Sequence, residues 1–296
     1  MKAKYRFVAV LLLSVAACAA LFVKAYGTEK QAGQGNGLFV AASFYPVYIA
    51  AENVVGSCEG ISVKCLSEPQ SGCLHDFVLT PEDMQTLSSA DLFLVNGGGM
   101  ETFLEEVAAQ YPSLTVAETA DGLVAEENAH AWMGIAKYRA QVGAVSDAIC
   151  QAAKGDVQQL KANAARYDAK LQGLQEQQEG LRDAIAGSKV VSFHEAYEYL
   201  AEDYGLDIVY TLDLDEERQV SAGEVADVLK AVKDGGVRVI LAEGAYGAKM
   251  AETVQKEADV AVCFLDTLVR GDYGADSYID GMQQNINLLK EAFGVN

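Results

Sequence analysis

The first half of the chain alternates short apolar runs with longer amphipathic segments. Short apolar runs that end at turn-forming or charged residues are typical of buried strands. The segments between them place apolar residues three and four positions apart, as helices do. Strands are predicted at 38–43, 61–66, 91–95 and 114–117, and helices at 45–55, from 80 onward and at 100–110.

The second half of the chain repeats this alternation. Strands are predicted at 189–193, 207–212, 237–242 and 260–265, and helices at 195–204, 221–234, 246–257 and 277–293. Thr80 before Pro81, and Ser221 three residues before Glu224, have the residue types and spacing of helix N-caps. Short buried strands separated by helices predict parallel sheets that are covered on both faces.

Residues 136–187 interrupt the alternation. They contain no Pro and are rich in Ala, Gln, Leu, Glu and Lys, which are strong helix formers. Gly155 and Asp156 predict a break, with Asp156 as the cap of a second helix that continues to Ala186. Its apolar residues recur every three or four positions, but the heptads are too few and irregular for a coiled coil. A single long connector is the better interpretation.

The predicted fold is therefore α/β, with two βα lobes that contain parallel sheets and are joined by a long rigid interdomain helix. A chain of 296 residues, 51% of them apolar, is long enough for two cores. The predicted boundaries are 1–37 for a leader and tether, 38–135 for the first lobe, 136–187 for the helical connector and 188–296 for the second lobe.

The N-terminus has the pattern of a targeting segment. Lys2, Lys4 and Arg6 precede an apolar run at 7–23, which is rather short for a membrane-spanning helix and fits a secretory signal. The string VAAC that ends at Cys18 resembles a bacterial lipobox, which predicts lipidation of Cys18. An uncleaved N-terminal anchor is the alternative. Either interpretation places the folded body outside the cytoplasm, either membrane-anchored or periplasmic.

The net charge and the cysteines of the chain indicate which partners and which cellular compartment are compatible with it. A formal net charge of −20 argues against nucleic acid and anionic membrane surfaces as partners. The six cysteines fit an exported compartment, where disulfides form. Cys65 and Cys73 bracket a loop that contains Pro69 and Gly72, and they are the preferred disulfide pair. Thiolate metal ligation is the competing interpretation, although the chain has no C-x-x-C spacing to support it.

Only three histidines occur in the chain, and each is predicted to follow a strand. His75 follows the second strand, His130 follows the fourth after a loop, and His194 follows the first strand of the second lobe. Asp266 and Glu243 follow two further strands of that lobe. Since ligands in open α/β sheets bind outside the carboxyl ends of strands, facing lobes would bring these side chains together as a His₃–carboxylate zinc shell.

Several strings in the chain are similar to the metal-binding lipoproteins that supply zinc and manganese ABC importers. They are ASFYP at 42–46, GCLHDF at 72–77, ADLFLVNG at 90–97, NAHAW at 128–132, SFHEAY at 192–197 and LDTL at 265–268. The similarity extends over residues 38–293, and the ordered histidine motifs make it specific.

The resemblance implies an extracytoplasmic solute-binding protein that is not an enzyme. By this resemblance His75, His130, His194 and Asp266 are the metal ligands, with Glu243 as the alternative carboxylate. The implied cargo is one divalent transition metal, and the implied partner is an ABC permease that a lipid-anchored monomer reaches at the membrane. Three nitrogens and one carboxylate favour zinc, with manganese as the alternative.

The sequence also permits two other functions, a metallohydrolase and a surface adhesin. His194-Glu195 resembles the start of a zinc-protease helix, but Glu198 occupies the position of the second histidine, so the metallohydrolase motif is incomplete. A surface adhesin is a third hypothesis, which no motif supports. The chain also lacks the His-rich, acidic loop between Leu123 and His130 that some zinc-specific members carry, and its first histidine motif is Cys-Leu-His in place of the common Pro-His.

Overall fold

Two four-stranded parallel sheets form the framework of the protein. The structure, a computed structural model, describes residues 37–67, 77–125, 128–155, 157–214, 219–244 and 246–295. The leader with Cys18 and the segment that carries Cys73 and His75 lie outside the described residues. Within the described part of the chain, no helix is both long and apolar enough to cross a membrane.

The first lobe contains four strands in the order β2-β1-β3-β4, all parallel. The central strands are buried, whereas β2 at one edge is half exposed. Its elements are β1 (Leu38–Ala42), α1 (Tyr45–Val55), β2 (Ile61–Cys65), α2 (Pro81–Ser89), β3 (Leu92–Val95), α3 (Leu104–Gln110) and β4 (Thr115–Glu118).

Two long helices follow a short 3₁₀ turn at Ala131–Met133. They are α4 (Ile135–Ala152) and α5 (Gln158–Ile185), and α5, with 28 residues, is the longest helix of the described chain. One stripe of α5 is buried, as the predicted three- and four-residue spacing requires: Leu160, Tyr167, Leu171, Leu174, Leu181 and Ile185.

The second lobe repeats the topology of the first, with strand order β6-β5-β7-β8 and parallel pairing throughout. This repetition was predicted from the alternation of apolar runs. Its elements are β5 (Lys189–Ser192), α6 (Tyr197–Tyr204), β6 (Asp207–Thr211), α7 (Ala222–Gly235), β7 (Val239–Ala242), α8 (Ala248–Glu257), β8 (Ala261–Phe264) and α9 (Ser277–Phe293).

The long helix α5 packs against both lobes along its length. It contacts α1 and α4 on the first-lobe side and α6 and α9 on the second-lobe side. Arg139 of α4 donates two hydrogen bonds to the Asp168 carboxylate of α5, at 2.7 and 2.9 Å, and a third to Gln175 at 2.8 Å. The prediction of two parallel-sheet lobes with a long helix between them is thus confirmed.

One hydrophobic cluster is continuous across the two lobes. At its centre the rings of Tyr138 and Tyr278 are stacked with centroids 3.7 Å apart, and the Tyr138 hydroxyl donates to the carbonyl of Pro46. Tyr278 in turn donates to the carbonyl of Trp132 at 2.6 Å. These side chains thus join α4, α9 and the start of α1 in one contact between the lobes.

Both predicted N-caps are present as complete capping boxes. Thr80 accepts from the Asp83 backbone N–H and Ser221 from that of Glu224, and each acidic side chain accepts from the cap residue's own N–H. The predicted start of α3 at residue 100 is wrong by four positions. Gly97, Gly98 and Gly99 all have positive φ, so the chain turns back before the helix begins at Leu104.

Candidate metal centre

The described site residues lie just beyond the carboxyl ends of three strands and in the loop after a fourth. His194 follows β5, Glu243 follows β7, Asp266 follows β8, and His130 lies after β4, immediately before the 3₁₀ turn. These are the positions at which open parallel sheets bind ligands. The sequence pattern predicted all four positions.

His130 and His194 come from different lobes and lie against each other. Their ring centroids are 5.1 Å apart, with an interplanar angle of 84°. Both side chains are buried, with 1% and 2% of their surface exposed. A transition metal binds about 2.0–2.1 Å from an imidazole nitrogen, so rings this close are able to contact one ion.

His130 is surrounded by polar and aromatic partners. Its Nδ1 lies 3.0 Å from Asn128 Oδ1 and 3.4 Å from Glu195 Oε1. Its backbone N–H also donates to Asn128 Oδ1, at 3.1 Å. The Trp132 ring packs beside it with a centroid distance of 5.1 Å. Both side-chain groups near Nδ1 are acceptors, so they favour the tautomer with the hydrogen on Nδ1 and the lone pair on Nε2.

His194 has the opposite hydrogen-bond pattern. Its Nδ1 accepts from the backbone N–H of Ala196 at 3.0 Å, so the neutral ring of the metal-free protein carries its hydrogen on Nε2, and binding of an ion by this ring requires that the contact with Ala196 be broken. Asp213 Oδ1 lies 3.9 Å from the same nitrogen. The backbone of His194 is fixed by Ser192, whose hydroxyl donates to the His194 carbonyl at 2.7 Å. The ring of Tyr197 packs beside the imidazole at 5.9 Å.

Asp266 is positioned through its backbone by α9. The Asn285 side chain accepts from the Asp266 N–H at 2.9 Å and donates to the Asp266 carbonyl at 2.8 Å. One carboxylate oxygen accepts from the Leu268 N–H at 2.8 Å, while the side chain as a whole is exposed. Leu268 has a φ of 57°, an uncommon conformation for a branched residue.

Trp132 and Tyr197 link the Asp266 loop to the two histidines. Trp132 Nε1 donates to the carbonyl of Thr267 at 2.9 Å, and its ring contacts His130. The Tyr197 hydroxyl donates to the carbonyl of Leu265 at 2.9 Å. Burial, together with the negative charges of Glu243 and Asp266, raises the pKa of Tyr197 well above its usual value. Trp132 thus packs between the lobes.

Glu243, the alternative carboxylate, is buried and pairs with a cation. Its Oε1 lies 3.7 Å from Arg270 Nη2, and 7% of the residue is exposed. Arg270 therefore offsets the charge that a metal would otherwise neutralise. Glu243 and Asp266 follow neighbouring strands, but only Glu243 has a guanidinium beside its carboxylate among the described residues.

The fourth predicted ligand, His75, lies outside the described residues. Within the part of the chain that the structure describes, no group of three or more His, Cys, Asp or Glu side chains is arranged to hold a metal ion. Cys65 carries a free thiol whose Sγ lies 3.6 Å from Ser67 Oγ, and burial raises its pKa to about 12. Since Cys73 is also outside the described residues, the Cys65–Cys73 disulfide stays a prediction.

Two residues of the site were not predicted from the sequence: Asn128, which contacts His130, and Glu198, which contacts Asn128. Glu198 Oε2 accepts from Asn128 Nδ2 at 3.0 Å, so the residue that replaces the second histidine of a zinc-protease helix is instead part of the interlobe contact. The only available signal was the position of Asn128 two residues before His130. Both Asn128 and His130 lie in a loop, where no periodic pattern reveals which side chains are in contact.

Comparison with known proteins decides the family. The family model described as the zinc-uptake complex component A, periplasmic, matches residues 40–292. The chain belongs to this family. The match covers both lobes and the connector, and it confirms the resemblance on which the metal-ligand prediction rests. It also confirms the prediction that the chain is a binding component of an uptake system and not an enzyme.

Curated relatives of this family member are named for two different metals. The chain is 27% identical to the manganese-binding lipoprotein MntA of Halalkalibacterium halodurans, over 86% of this chain and 87% of the relative. It is also 27% identical to the high-affinity zinc uptake system protein ZnuA of Bacillus subtilis, over 95% and 96% of the two chains.

Solved structures have the same architecture. FpvC of Pseudomonas aeruginosa in complex with Mn²⁺ aligns with a TM-score of 0.77 and 22% identity, over 87% of this chain and 98% of that chain. The metal-dependent lipoprotein YcdH of Bacillus subtilis aligns with a TM-score of 0.73 and 26% identity, over 86% and 99%. Both solved structures thus share the two-lobe fold of this chain.

Proposed function

We propose that this protein captures one divalent transition-metal ion between its lobes, outside the cytoplasm, and delivers it to the permease of an ABC importer. The observation that carries the proposal is the buried contact between His130 and His194, whose rings lie 5.1 Å apart. Each histidine belongs to a different lobe, so a shared ion would join the two halves of the molecule. Imidazole is the commonest metal-ligand side chain in proteins.

The proposed ligand set is His75, His130, His194 and Asp266. Asp266 is preferred to Glu243 because Arg270 already neutralises the Glu243 carboxylate. The Asp266 side chain is exposed, while Asn285 holds its backbone on both sides. In the proposed complex the Asp266 carboxylate turns toward the histidine pair.

Zinc is the proposed cargo, with manganese as the alternative. Three imidazoles and one carboxylate make a normal tetrahedral zinc shell, whereas manganese prefers more oxygen ligands. The names of relatives include both metals, so the preference rests on the chemistry of the donor set. A net charge of −20 further favours the approach of cations.

The proposed setting is the outer face of the membrane. Lipidation of Cys18 would attach a monomeric protein there by its N-terminus, and an uncleaved apolar anchor at 7–23 would have the same effect. A protein held at the membrane reaches its permease by short-range diffusion. Release of the ion then requires that the lobes separate, because the proposed ligands are divided between them.

Metal titration of metal-free protein tests this function. We expect one ion to bind per chain and zinc to displace manganese in competition. Since the ion binds only the folded state, an excess of about 1,000 times the Kd should stabilise the protein by about 4 kcal/mol. Isothermal titration and thermal unfolding measure both effects. Absence of saturable binding of either metal would contradict the function, whereas tighter manganese binding would overturn only the metal preference.

A further inference from the structure

Every polar group of Asn128 is used in the structure. The residue is 6% exposed and lies two positions before His130. Its side-chain Oδ1 accepts from the His130 backbone N–H, and its Nδ2 donates to the carbonyl of Glu195 and to Glu198 Oε2, both at 3.0 Å. Its own carbonyl accepts from the Tyr199 hydroxyl at 2.7 Å. A buried amide with this many partners has one allowed orientation.

These contacts fix which side-chain atom faces the His130 ring. Nδ2 must point to Glu195 and Glu198, since both groups there are acceptors. Oδ1 therefore faces Nδ1 of His130, at 3.0 Å. An oxygen acceptor at that distance requires the hydrogen of the neutral ring to be on Nδ1, which places the lone pair of the ring on Nε2.

The same amide connects the two lobes. Asn128 belongs to the loop after β4 of the first lobe, whereas Glu195, Glu198 and Tyr199 belong to the second lobe, at the start of α6. If the lobes separate, Nδ2 loses both acceptors and the amide is no longer held against the ring. The orientation of His130 is thus tied to the contact between the lobes.

We infer that Asn128 is a positioning residue that presents His130 to the metal only while the lobes are together. The inference rests on the proposed metal-capturing function and deepens it. Asn128 accepts from Nδ1–H, so the lone pair of the ring that binds the ion is on Nε2. Separation of the lobes would therefore weaken metal binding at His130, in addition to moving the ligands of the two lobes apart. Glu195 Oε1, at 3.4 Å from Nδ1, is the competing acceptor and is farther than a normal charge-assisted bond.

Nitrogen-15 NMR of metal-free wild-type protein tests the tautomer directly. The three histidines of the chain make assignment by single substitutions practical. We expect His130 to be the Nδ1–H tautomer and His194, which accepts at Nδ1 from Ala196, to be the Nε2–H tautomer. An Nε2–H tautomer at His130 would overturn the inference. This measurement needs no metal, so it is independent of whether the proposed function is right.

Substitutions then test the link to metal affinity. Loss of a group that orients a metal-binding histidine typically lowers affinity about 10–100-fold, which is the effect expected for Asn128→Ala. Asn128→Asp should lower it further, because a carboxylate would face Glu198 and the Glu195 carbonyl. Asn128→Ala should lose the pure Nδ1–H signature at His130, whereas Asn128→Asp keeps an oxygen acceptor beside Nδ1 and should retain it. Circular dichroism checks that the variants are folded.

Two matched variants test whether Asn128 positions His130 or only packs against it. Tyr199→Phe removes a hydroxyl that contacts the Asn128 backbone but leaves the side-chain amide in place, so affinity and tautomer should be little changed. Glu195→Gln should cost less than Asn128→Ala. A larger loss for Glu195→Gln, or wild-type affinity for Asn128→Ala, would overturn the role of Asn128. Failure of the wild-type protein to bind either zinc or manganese would refute the function while leaving the tautomer result standing.

Discussion

Substitution of His130 by Ala should lower the affinity for zinc by more than about 100-fold, which exceeds the usual effect of removing a group that only orients a ligand. The ring lies 5.1 Å from the His194 ring, in a buried contact between the lobes. Its Nδ1 is engaged by Asn128, so its remaining nitrogen is the natural donor to an ion. Competition against a fluorescent zinc chelator measures the loss.

A pair of carboxylate substitutions provides the control for this prediction. Asp266→Asn should weaken zinc binding strongly, because Asp266 is the proposed anionic ligand. Glu243→Gln should have a small effect, since Glu243 is paired with Arg270. Wild-type affinity in the His130→Ala variant would remove His130 from the ligand set, and a reversed order of the two carboxylate variants would exchange their roles.

Substitution of Trp132 by Ala should destabilise the metal-free protein by about 3–5 kcal/mol, the usual cost of removing a large aromatic side chain from a core. Trp132 is fully buried, packs edge-on against Phe44 at 5.0 Å and beside His130 at 5.1 Å. Its Nε1 also donates to the carbonyl of Thr267 in the second lobe. The variant loses core packing and an interlobe hydrogen bond together.

Urea unfolding followed by circular dichroism measures this effect, and Trp132→Phe is the matched control. Phe retains much of the ring packing on Phe44 but cannot donate to Thr267, so it should lose less stability than Ala. Because Trp132 is the one tryptophan of the chain, its fluorescence in the wild type should also respond to zinc. An unfolding midpoint of wild-type value for Trp132→Ala would show that the contact with Thr267 and the core is energetically unimportant.

The sequence predicted most of the fold because its signals are local. Apolar runs identified the strands, and the capping residues Thr80 and Ser221 placed two helix starts correctly. The start of α3 was predicted four residues too early, directly after the three glycines at 97–99. In the structure all three have positive φ, and Glu101 accepts from the N–H groups of Asn96 and Gly97 before the helix begins.

The sequence predicted the site only in part, because the ends of predicted strands indicate where ligand residues lie but not how the two lobes face each other. His130 and His194 were expected to meet because carboxyl ends of parallel strands bind ligands, but whether the lobes face each other depends on contacts more than a hundred residues apart, such as that of Trp132 with Thr267. The pairing of Glu243 with Arg270 and the role of Asn128 are tertiary contacts without a periodic pattern. Neither could be derived from spacing along the chain.

The most direct test of the account is anomalous diffraction from crystals of the zinc-loaded protein. One zinc peak is expected between the lobes, about 2.0–2.2 Å from a nitrogen of His130, a nitrogen of His194 and an oxygen of Asp266, with His75 as the fourth ligand. A zinc peak bound by residues of one lobe alone, or elsewhere on the molecule, would contradict the claim that a single ion joins the two lobes.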